Sequence, residues 1–278
     1  MIKCFDTWKE CEYHLKICSI ASSSEGNCIL LGTENVKVLV DIGISRTAAV
    51  NGLSRVGVAP EEISAIFITH EHIDHVKGLE VWMKNFDVRC YATKETHKSL
   101  RDKFDFSPFS QERFICIEPD REFVVDDLAV MPFSISHDAA NPVGYKFVCN
   151  QKKAGIATDL GFYDEYTLKH LKGCEFLLIE ANHEPLMVQT GSYPYPLKLR
   201  ILGDKGHLSN DAAGELAARL LPHGLRKILL GHMSKENNTP DLAYETVRAH
   251  LLATNHPELS GMVLSVADRK SPSEVYVI

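Results

Sequence analysis

Residues 69–75 read Thr-His-Glu-His-Ile-Asp-His and come directly after the apolar run Ala-Ile-Phe-Ile. A short apolar run of this kind predicts a buried strand, so the heptapeptide marks the place where that strand ends. If the segment is extended, His70 and His72 point to the same side. Asp74 and His75 then fall on the turn into the next helix, where they can face a second ion. The pattern therefore predicts a site for two metal ions at the end of a buried strand.

The residue types in this loop indicate a catalytic metal site. Imidazole and carboxylate groups together suit Zn, Mn or Fe. The loop contains no cysteine, which argues against a closed structural zinc site built from thiolates. We therefore expect two divalent ions that keep open positions for water.

Other candidate ligands follow apolar runs in the same way. His137, Asp159 and His232 each stand after such a run. A sandwich of sheets would gather the loops at these strand ends into one mouth, so the three side chains are candidates for the same site. Asp41 has a similar position, and we expect it to accept a hydrogen bond from a ligand histidine, because such acceptors orient metal-bound imidazoles.

Short β-rich runs alternate with amphipathic segments along the chain, without a linker or repeat. Turns, and not helices, join the first strands, which favours an α/β sandwich of two sheets covered by helices over a doubly wound parallel sheet. We expect a single domain over residues 1–278. The predicted strands cover residues 15–20, 28–31, 36–40, 65–68, 128–136, 143–148, 153–158, 176–180, 227–230, 262–266 and 274–278. The predicted helices cover residues 46–56 and 76–86, and two more begin at Ser209 or Asn210 and at Thr239-Pro240.

The composition limits the possible partners and the compartment. Asp and Glu number 37 against 30 Lys and Arg, so a contact with nucleic acid would have to be local and helped by metal ions. The 8 cysteines form no Cys-x-x-Cys pair and are typical of reduced thiols in a cytosolic protein. No apolar stretch approaches the length of a membrane span, and residues 1–14 are too charged for a signal peptide. We expect a soluble, cytoplasmic protein with no membrane partner.

The order of the candidate ligands resembles the metallo-β-lactamase superfamily over essentially the whole chain from Leu15 onward. The resemblance implies a four-layer αββα sandwich. It also implies one ion on His70, His72 and His137, a second on Asp74, His75 and His232, and a bridging Asp159. Since no cysteine occupies a ligand position, lactam hydrolysis is disfavoured, and His72 stands where the diiron flavoproteins have Glu.

Several strings outside the ligands are similar to the YycJ (WalJ/VicX) branch of that superfamily. Members of this branch are regarded as metal-dependent 5′-to-3′ exonucleases linked to DNA repair, so the resemblance implies a DNA substrate. Residues 1–14 resemble no part of the branch and would be an N-terminal extension. The matching strings lie at residues 21–28, 180–183, 191–194, 197–202, 206–210 and 231–240.

The implied reaction is the hydrolysis of a phosphodiester by a hydroxide that bridges the two ions. Asp74 and Asp159 would hold the ions, and Asp159 would also orient the nucleophile. The leaving 3′ oxygen needs a proton, for which His207 is the candidate, because RNA-processing nucleases of the superfamily carry a histidine before Ser or Thr at this point. His207 could instead merely begin the helix at Ser209.

Candidate substrate contacts lie in loops and on one predicted strand. Lys198 and Arg200 alternate with leucines, so both could grip a nucleic-acid backbone from one strand face, or they could form a solvated face. The polar loop before Cys28 could be a simple turn, and the asparagines after His232 could only cap the following helix. The candidates are Ser23, Ser24, Asn27, His183, Lys198, Arg200, Asn237 and Asn238.

Three other functions fit the same ligands. A phosphodiesterase for a small or cyclic phosphate ester would use the same ions, and so would a glutathione thioester hydrolase. A metal-bound regulatory protein without turnover is disfavoured because every ligand is present. The sequence does not determine which metal is native, whether DNA or RNA is preferred, from which end a strand is degraded, or the oligomeric state.

Overall fold

The computed structural model describes residues 14–278. Two sheets pack face to face, and helices cover the outer face of each sheet. The central apolar core contains side chains from both sheets, for example Phe67 and Phe147. Each of the two outer cores joins one sheet to its own helices. The predicted αββα sandwich is thus confirmed. The N-terminal extension predicted for residues 1–14 lies outside the described residues, except for His14.

The strands of the first sheet are β1 (Lys16–Ala21), β2 (Cys28–Gly32), β3 (Lys37–Val40), β4 (Ile63–Phe67), β5 (Arg89–Thr93), β6 (Phe114–Ile117) and β14 (Tyr276–Val277). Those of the second sheet are β7 (Phe123–Val125), β8 (Leu128–Ser134), β9 (Val143–Cys149), β10 (Lys152–Ala157), β11 (Phe176–Glu180), β12 (Lys227–Gly231) and β13 (Val263–Val266). The helices are α1 (Arg46–Arg55), α2 (Ile73–Val76), α3 (Leu79–Asn85), α4 (Lys94–Lys103), α5 (Glu165–Leu171), α6 (Pro185–Thr190), α7 (Tyr195–Leu202), α8 (Asn210–Leu220) and α9 (Pro240–Ala253).

The topology brings several strand ends to one edge of the sandwich. The first sheet begins as an antiparallel meander, β1 to β3, and continues with parallel strands β3 to β6. In the second sheet β10 to β13 are parallel. The carboxyl ends of parallel strands meet at the same edge, and ligands commonly bind beyond that edge. The loops after β3, β4, β8, β10 and β12 carry the candidate metal ligands and Asp41.

Two local predictions were wrong. The single helix predicted over residues 76–86 is interrupted at Lys77 and Gly78. Gly78 caps α3, and a Cβ there would lie 2.2 Å from the Ile44 carbonyl oxygen. The alternating segment around Lys198 and Arg200 is the helix α7 and not a strand. On a helix, residues two apart point in different directions, so Lys198 and Arg200 do not share a face. The caps predicted at Ser209 and Thr239 are confirmed, since each side chain accepts a backbone N–H of its helix.

Candidate metal centre

The loop between β4 and α2 presents its ligand side chains as the sequence predicts. The imidazole centroids of His70 and His72 lie 4.5 Å apart, so the two rings do point to the same side. Asp74 and His75 lie within α2, one short turn further on. Their side chains turn toward loops of the second sheet. The loop therefore serves two neighbouring groups of ligands.

Two clusters form around this loop, and each includes a histidine from the second sheet. His70, His72 and His137 bring their ring nitrogens within 4.8 Å of one another, and so do the ligand atoms of the second cluster, Asp74, His75 and His232. Each group is the set that the resemblance implies for one ion.

Asp159 lies between the two clusters. Its Oδ2 is 3.2 Å from His75 Nε2, and its Oδ1 is 3.4 Å from His232 Nε2 and 3.6 Å from His137 Nε2. One carboxylate thus contacts histidines of both clusters. This is the position that a bridging ligand requires.

In the buried ligand histidines, the ring nitrogen that points away from the cluster has a hydrogen-bond partner in the protein. His75 Nδ1 lies 2.7 Å from Asp41 Oδ2, as predicted for an orienting acceptor. His137 Nδ1 lies 3.0 Å from the Gly206 carbonyl oxygen, and His232 Nδ1 lies 3.3 Å from Glu180 Oε2. Hydrogen bonds of this kind fix the imidazole tautomer and turn the other nitrogen toward a metal.

The inward-facing atoms fit divalent ions. His70 Nε2 is buried without a hydrogen-bond partner among residues 14–278, which is costly unless another group satisfies it. His72 Nδ1 and His137 Nε2 face each other at 3.2 Å, an arrangement that a shared cation would stabilise. The clusters contain imidazole and carboxylate donors, which suit Zn, Mn or Fe.

Three residues of the centre adopt a left-handed backbone. Asp41, Asp159 and His232 have φ angles of 60°, 57° and 49°. Side chains other than glycine rarely adopt this conformation, which costs about 1–3 kcal/mol and is concentrated at functional sites. Each of the three follows a strand closely and turns its side chain into the centre. The strained backbone at these residues therefore lowers the stability of the fold, and it directs the three side chains into the centre.

The carboxylates of the centre carry negative charge at neutral pH. Burial alone would raise the pKa of Asp159, but the neighbouring histidines, with His232 first, hold it well below its usual value. The pKa of Asp74 is lowered in the same way, chiefly by His75. Burial opposes a charge on His232, yet Asp159 and the other nearby carboxylates raise its pKa to about 10. The ionised Asp74 and Asp159 thus place negative charge beside the histidines, where a cation would replace the protons.

Glu180, at the end of β11, belongs to the centre although it was not among the predicted site residues. It is fully buried, and its Oε2 lies 3.1 Å from His207 Nδ1 and 3.3 Å from His232 Nδ1. Its Oε1 accepts the backbone N–H groups of Leu160 and Leu208. These contacts, with His207 first among the charged neighbours, lower its pKa to about 2 against the effect of burial. The position after an apolar strand was the signal that could have revealed it.

A cavity of about 260 Å³ opens beside the clusters. His207 lines it, half-buried, together with five predicted ligands. Of the predicted substrate residues, Ser24 and Arg200 line it. The Arg200 guanidinium forms an ion pair with Asp138, the residue after His137. Tyr193, Leu197, Ile201, Asn182 and Ser234 also line it, and the sequence reasoning did not select these residues.

Two of the other predicted substrate residues hold the ligand loop in place. Asn27 accepts the backbone N–H of Ser23 and donates to the Ser23 carbonyl oxygen at 2.9 Å. Its amide also lies 3.2 Å from His75 Nε2. Both residues are buried. Asn27 also donates to the Asp74 carbonyl oxygen and so contacts the metal loop directly, and Ser24 alone of the three lines the cavity.

The remaining predicted substrate residues lie outside the cavity wall. Asn238 is buried and donates to the carbonyl oxygen of Ala181 at 2.8 Å. The Asn237 carbonyl accepts the Glu184 N–H at 2.9 Å. Lys198 Nζ donates to the Gln189 carbonyl at 2.8 Å. His183 is buried, and burial lowers its pKa to about 4. The contacts of the first three are with the protein itself.

Comparisons with known proteins agree with this geometry. The β-lactamase superfamily domain matches residues 37–233. Exodeoxyribonuclease WalJ of Streptococcus pneumoniae is 35% identical over 236 residues, which cover 85% of this chain and 88% of WalJ. Exodeoxyribonuclease YycJ of Bacillus anthracis is 31% identical over 259 residues, which cover 93% of this chain and 97% of YycJ. The metallo-β-lactamase fold protein YhfI of Bacillus subtilis superposes with a TM-score of 0.71 at 14% identity, covering 96% of this chain and 100% of YhfI.

The relatives and the ligand geometry identify the same family. The two exodeoxyribonucleases align along nearly their whole lengths, and the fold of YhfI matches both sheets and their helices. No helix within residues 14–278 is long and apolar enough to cross a membrane. The chain therefore belongs to the metallo-β-lactamase superfamily, in the branch that contains the WalJ and YycJ exodeoxyribonucleases.

Proposed function

We propose that this protein is a metal-dependent exodeoxyribonuclease that degrades DNA from the 5′ end. The observation that carries the proposal is that ligands from both clusters and a histidine outside them, His207, line one open cavity. The names of WalJ and YycJ support DNA as the substrate. Because the site draws ligands from both sheets, we infer that the described chain acts as one catalytic domain.

His70, His72 and His137 would hold one ion, and Asp74, His75 and His232 the other, with Asp159 shared. Two such ions lower the pKa of a bound water and neutralise charge on the attacked phosphate. Without ions the ionised carboxylates of Asp74 and Asp159 would repel a phosphodiester. Substrate binding at this mouth therefore depends on the metal.

His207 is the proposed proton donor to the leaving 3′ oxygen. Its Nδ1 faces Glu180 at 3.1 Å, so the carboxylate orients the ring and leaves Nε2 for the substrate. Arg200 is placed to meet a phosphate at the cavity wall, and Ser24 offers a hydroxyl on the opposite loop. A general acid in this position contributes about 10²–10⁴-fold to a rate.

We place the activity in the cytoplasm, in DNA repair. The described cysteines, Cys18, Cys28, Cys90, Cys116, Cys149 and Cys174, are free thiols, in keeping with a reducing compartment. A small or cyclic phosphodiester is the second candidate substrate, because a cavity of about 260 Å³ has room for such a molecule.

The test is degradation of DNA strands by the purified protein with Mn or Zn. Duplex and single-stranded DNA, each with a 5′-phosphate or a 5′-hydroxyl, should be shortened from the 5′ end. Asp74→Ala should lose metal and activity together, and His207→Ala should keep its metal but turn over at least 10²-fold more slowly. Hydrolysis of bis-p-nitrophenyl phosphate without cleavage of any polynucleotide would exclude an exonuclease and favour the small phosphodiester.

A further inference from the structure

Tyr193 is an aromatic side chain at the metal cavity that no part of the proposed chemistry uses. It lies between α6 and α7, is half-buried and lines the cavity. Within residues 14–278 its ring stacks on no aromatic or cationic group and its hydroxyl has no hydrogen-bond partner. Most aromatic rings of the described chain pack against another ring, such as Phe67 on Tyr91 with centroids 4.9 Å apart. The Tyr193 ring is thus available to a ligand.

The cavity has one ionic wall and one apolar wall. Metal ligands, including Asp74 and His232, form the first wall, and Tyr193, Leu197 and Ile201 of the α6–α7 hairpin form the second, with the Arg200 guanidinium beside them. Leu197 and Ile201 are four residues apart on α7 and therefore share a helix face. A nucleotide has the same two-sided character, since its phosphate is anionic and the faces of its base are apolar. A phosphate at the ions would bring its nucleoside against the apolar wall.

The size of the cavity limits what can stand against Tyr193. Its volume of about 260 Å³ is slightly below the range of about 300–1,000 Å³ for pockets that bind drug-sized ligands. A single nucleotide is of the size that such a space suits. An end nucleotide that leaves the helical stack would fit this space with its phosphate at the ions, and stacking on an aromatic ring would partly offset the lost base stacking.

The hairpin of α6 and α7 holds Tyr193 in place. The Gly191 N–H donates to the Met187 carbonyl at 2.8 Å, and a Cβ at Gly191 would lie 2.6 Å from the same oxygen. Lys198 ties α7 back to α6 through the Gln189 carbonyl. The ring is therefore presented by an anchored turn.

We propose that Tyr193 stacks on the terminal nucleobase of the strand and, with Leu197 and Ile201, makes the enzyme prefer unpaired or frayed ends. This role rests on the proposed exodeoxyribonuclease function and specifies how that site selects its substrate. Tyr193 touches the base and takes no part in the transfer of protons. Removal of the Tyr193 ring should weaken the binding of the terminal base and leave metal binding unchanged.

The test compares Tyr193→Ala, Tyr193→Leu and Tyr193→Phe with the matched control Tyr195→Ala. Tyr195 is 71% exposed on the same hairpin and does not line the cavity. The substrates are 5′-phosphorylated single strands with either an ordinary or an abasic 5′-terminal residue. Tyr193→Ala and Tyr193→Leu should lower kcat/KM on the ordinary strand by about 10- to 100-fold, the effect of losing one base–aromatic stack. Tyr193→Phe and Tyr195→Ala should stay close to the wild type.

The abasic strand separates stacking from a general loss of structure. The wild type should cut it slowly, and Tyr193→Ala should cut it at the same rate, with unchanged metal content and melting temperature. Equal losses in Tyr193→Ala and Tyr195→Ala, or an equal loss of Tyr193→Ala on both strands, would overturn the stacking role while the exodeoxyribonuclease function stands. A wild type that cleaves bis-p-nitrophenyl phosphate but neither strand would overturn both.

Discussion

At the scale of single residues, the histidines of the centre depend on hydrogen-bond partners that surround the ligand clusters. Glu180 illustrates this most fully, because one buried carboxylate faces Nδ1 of both His207 and His232. In the proposed mechanism a proton on each Nδ1 would leave Nε2 of His232 free to bind the metal and would turn Nε2 of His207 toward the substrate. Glu180 thereby couples the metal site to the proposed proton donor.

Replacement of Glu180 by Gln should lower both metal affinity and turnover by about 10- to 100-fold, as is typical for groups that orient metal ligands. The amide of Gln keeps the shape of the side chain, but one carboxylate oxygen becomes an NH₂ group. That group cannot accept the hydrogen bonds that the Glu180 carboxylate accepts. Metal titration and the rate of DNA degradation measure the two effects. Glu184→Gln is the matched control, since Glu184 begins α6 without a side-chain capping bond. Wild-type turnover in Glu180→Gln would contradict the assigned role.

At the scale of elements, the hairpin of α6 and α7 is where the sequence-based prediction was wrong, because a strand was predicted where the structure has α7. Residues 197–202 alternate leucine with cations and then end in Ile-Leu, which is typical of a strand face. The same residues are also good helix formers, and Pro196 lies in the first turn of α7, where proline is tolerated. In the helix, Leu197 and Ile201 lie on one face and line the cavity. Lys198 consequently braces α6, and Arg200 faces the mouth.

Asn238 is an element-scale brace, and its replacement by Ala tests that assignment. Its amide joins the Ala181 carbonyl after β11 to the Asn210 side chain at the start of α8. Because Asn238→Ala leaves the buried Asn210 without this partner, the free energy of unfolding should fall by about 1–3 kcal/mol. Urea unfolding measures the loss, and activity per folded molecule should be unchanged.

The control for this variant is Asn237→Ala. The amide nitrogen of Asn237 is buried without a hydrogen-bond partner among the described residues, so a smaller loss of stability is expected. Unchanged stability of Asn238→Ala together with slower DNA cleavage would restore the substrate contact that the sequence suggested for Asn238.

At the scale of the whole molecule, the candidate metal centre joins the two sheets. The loop after β4 supplies most of the ligands, and the second sheet supplies His137, Asp159 and His232. Neither sheet alone provides a complete set for either ion. Bound ions would therefore hold the two halves of the sandwich together as well as supply the chemistry.

Metal removal should lower the melting temperature. An ion present at 100 times its Kd stabilises the folded state by about 2.7 kcal/mol, and each kcal/mol corresponds to roughly 2–4 °C for a domain of this size class. Thermal unfolding with a chelator, and then with added Zn or Mn, measures the shift. Asp159→Asn should lose most of the metal-dependent gain. A melting temperature that is the same with and without metal would contradict the bridging role of the ions.

The sequence alone predicted the fold class of this protein, and it selected the candidate metal ligands that the structure brings together. His70, His72, Asp74 and His75 are neighbours along the chain, and the other ligands follow strands, so local patterns suffice to find them. The antiparallel start of the first sheet likewise follows from short turns between strands. Asp41 was predictable for the same reason, because it follows a strand that ends at the same edge.

Only the tertiary structure decided the role of Glu180, the helical hairpin and the apolar wall around Tyr193. These features depend on contacts between segments far apart in the chain, such as Asn238 with Ala181 across 57 residues. Side-chain type and spacing do not specify such contacts, because a buried carboxylate or an alternating apolar segment has several satisfactory environments. The packing of the two sheets and their loops decides which environment each side chain has. The proposed substrate preference depends on these environments, because they form the wall around Tyr193.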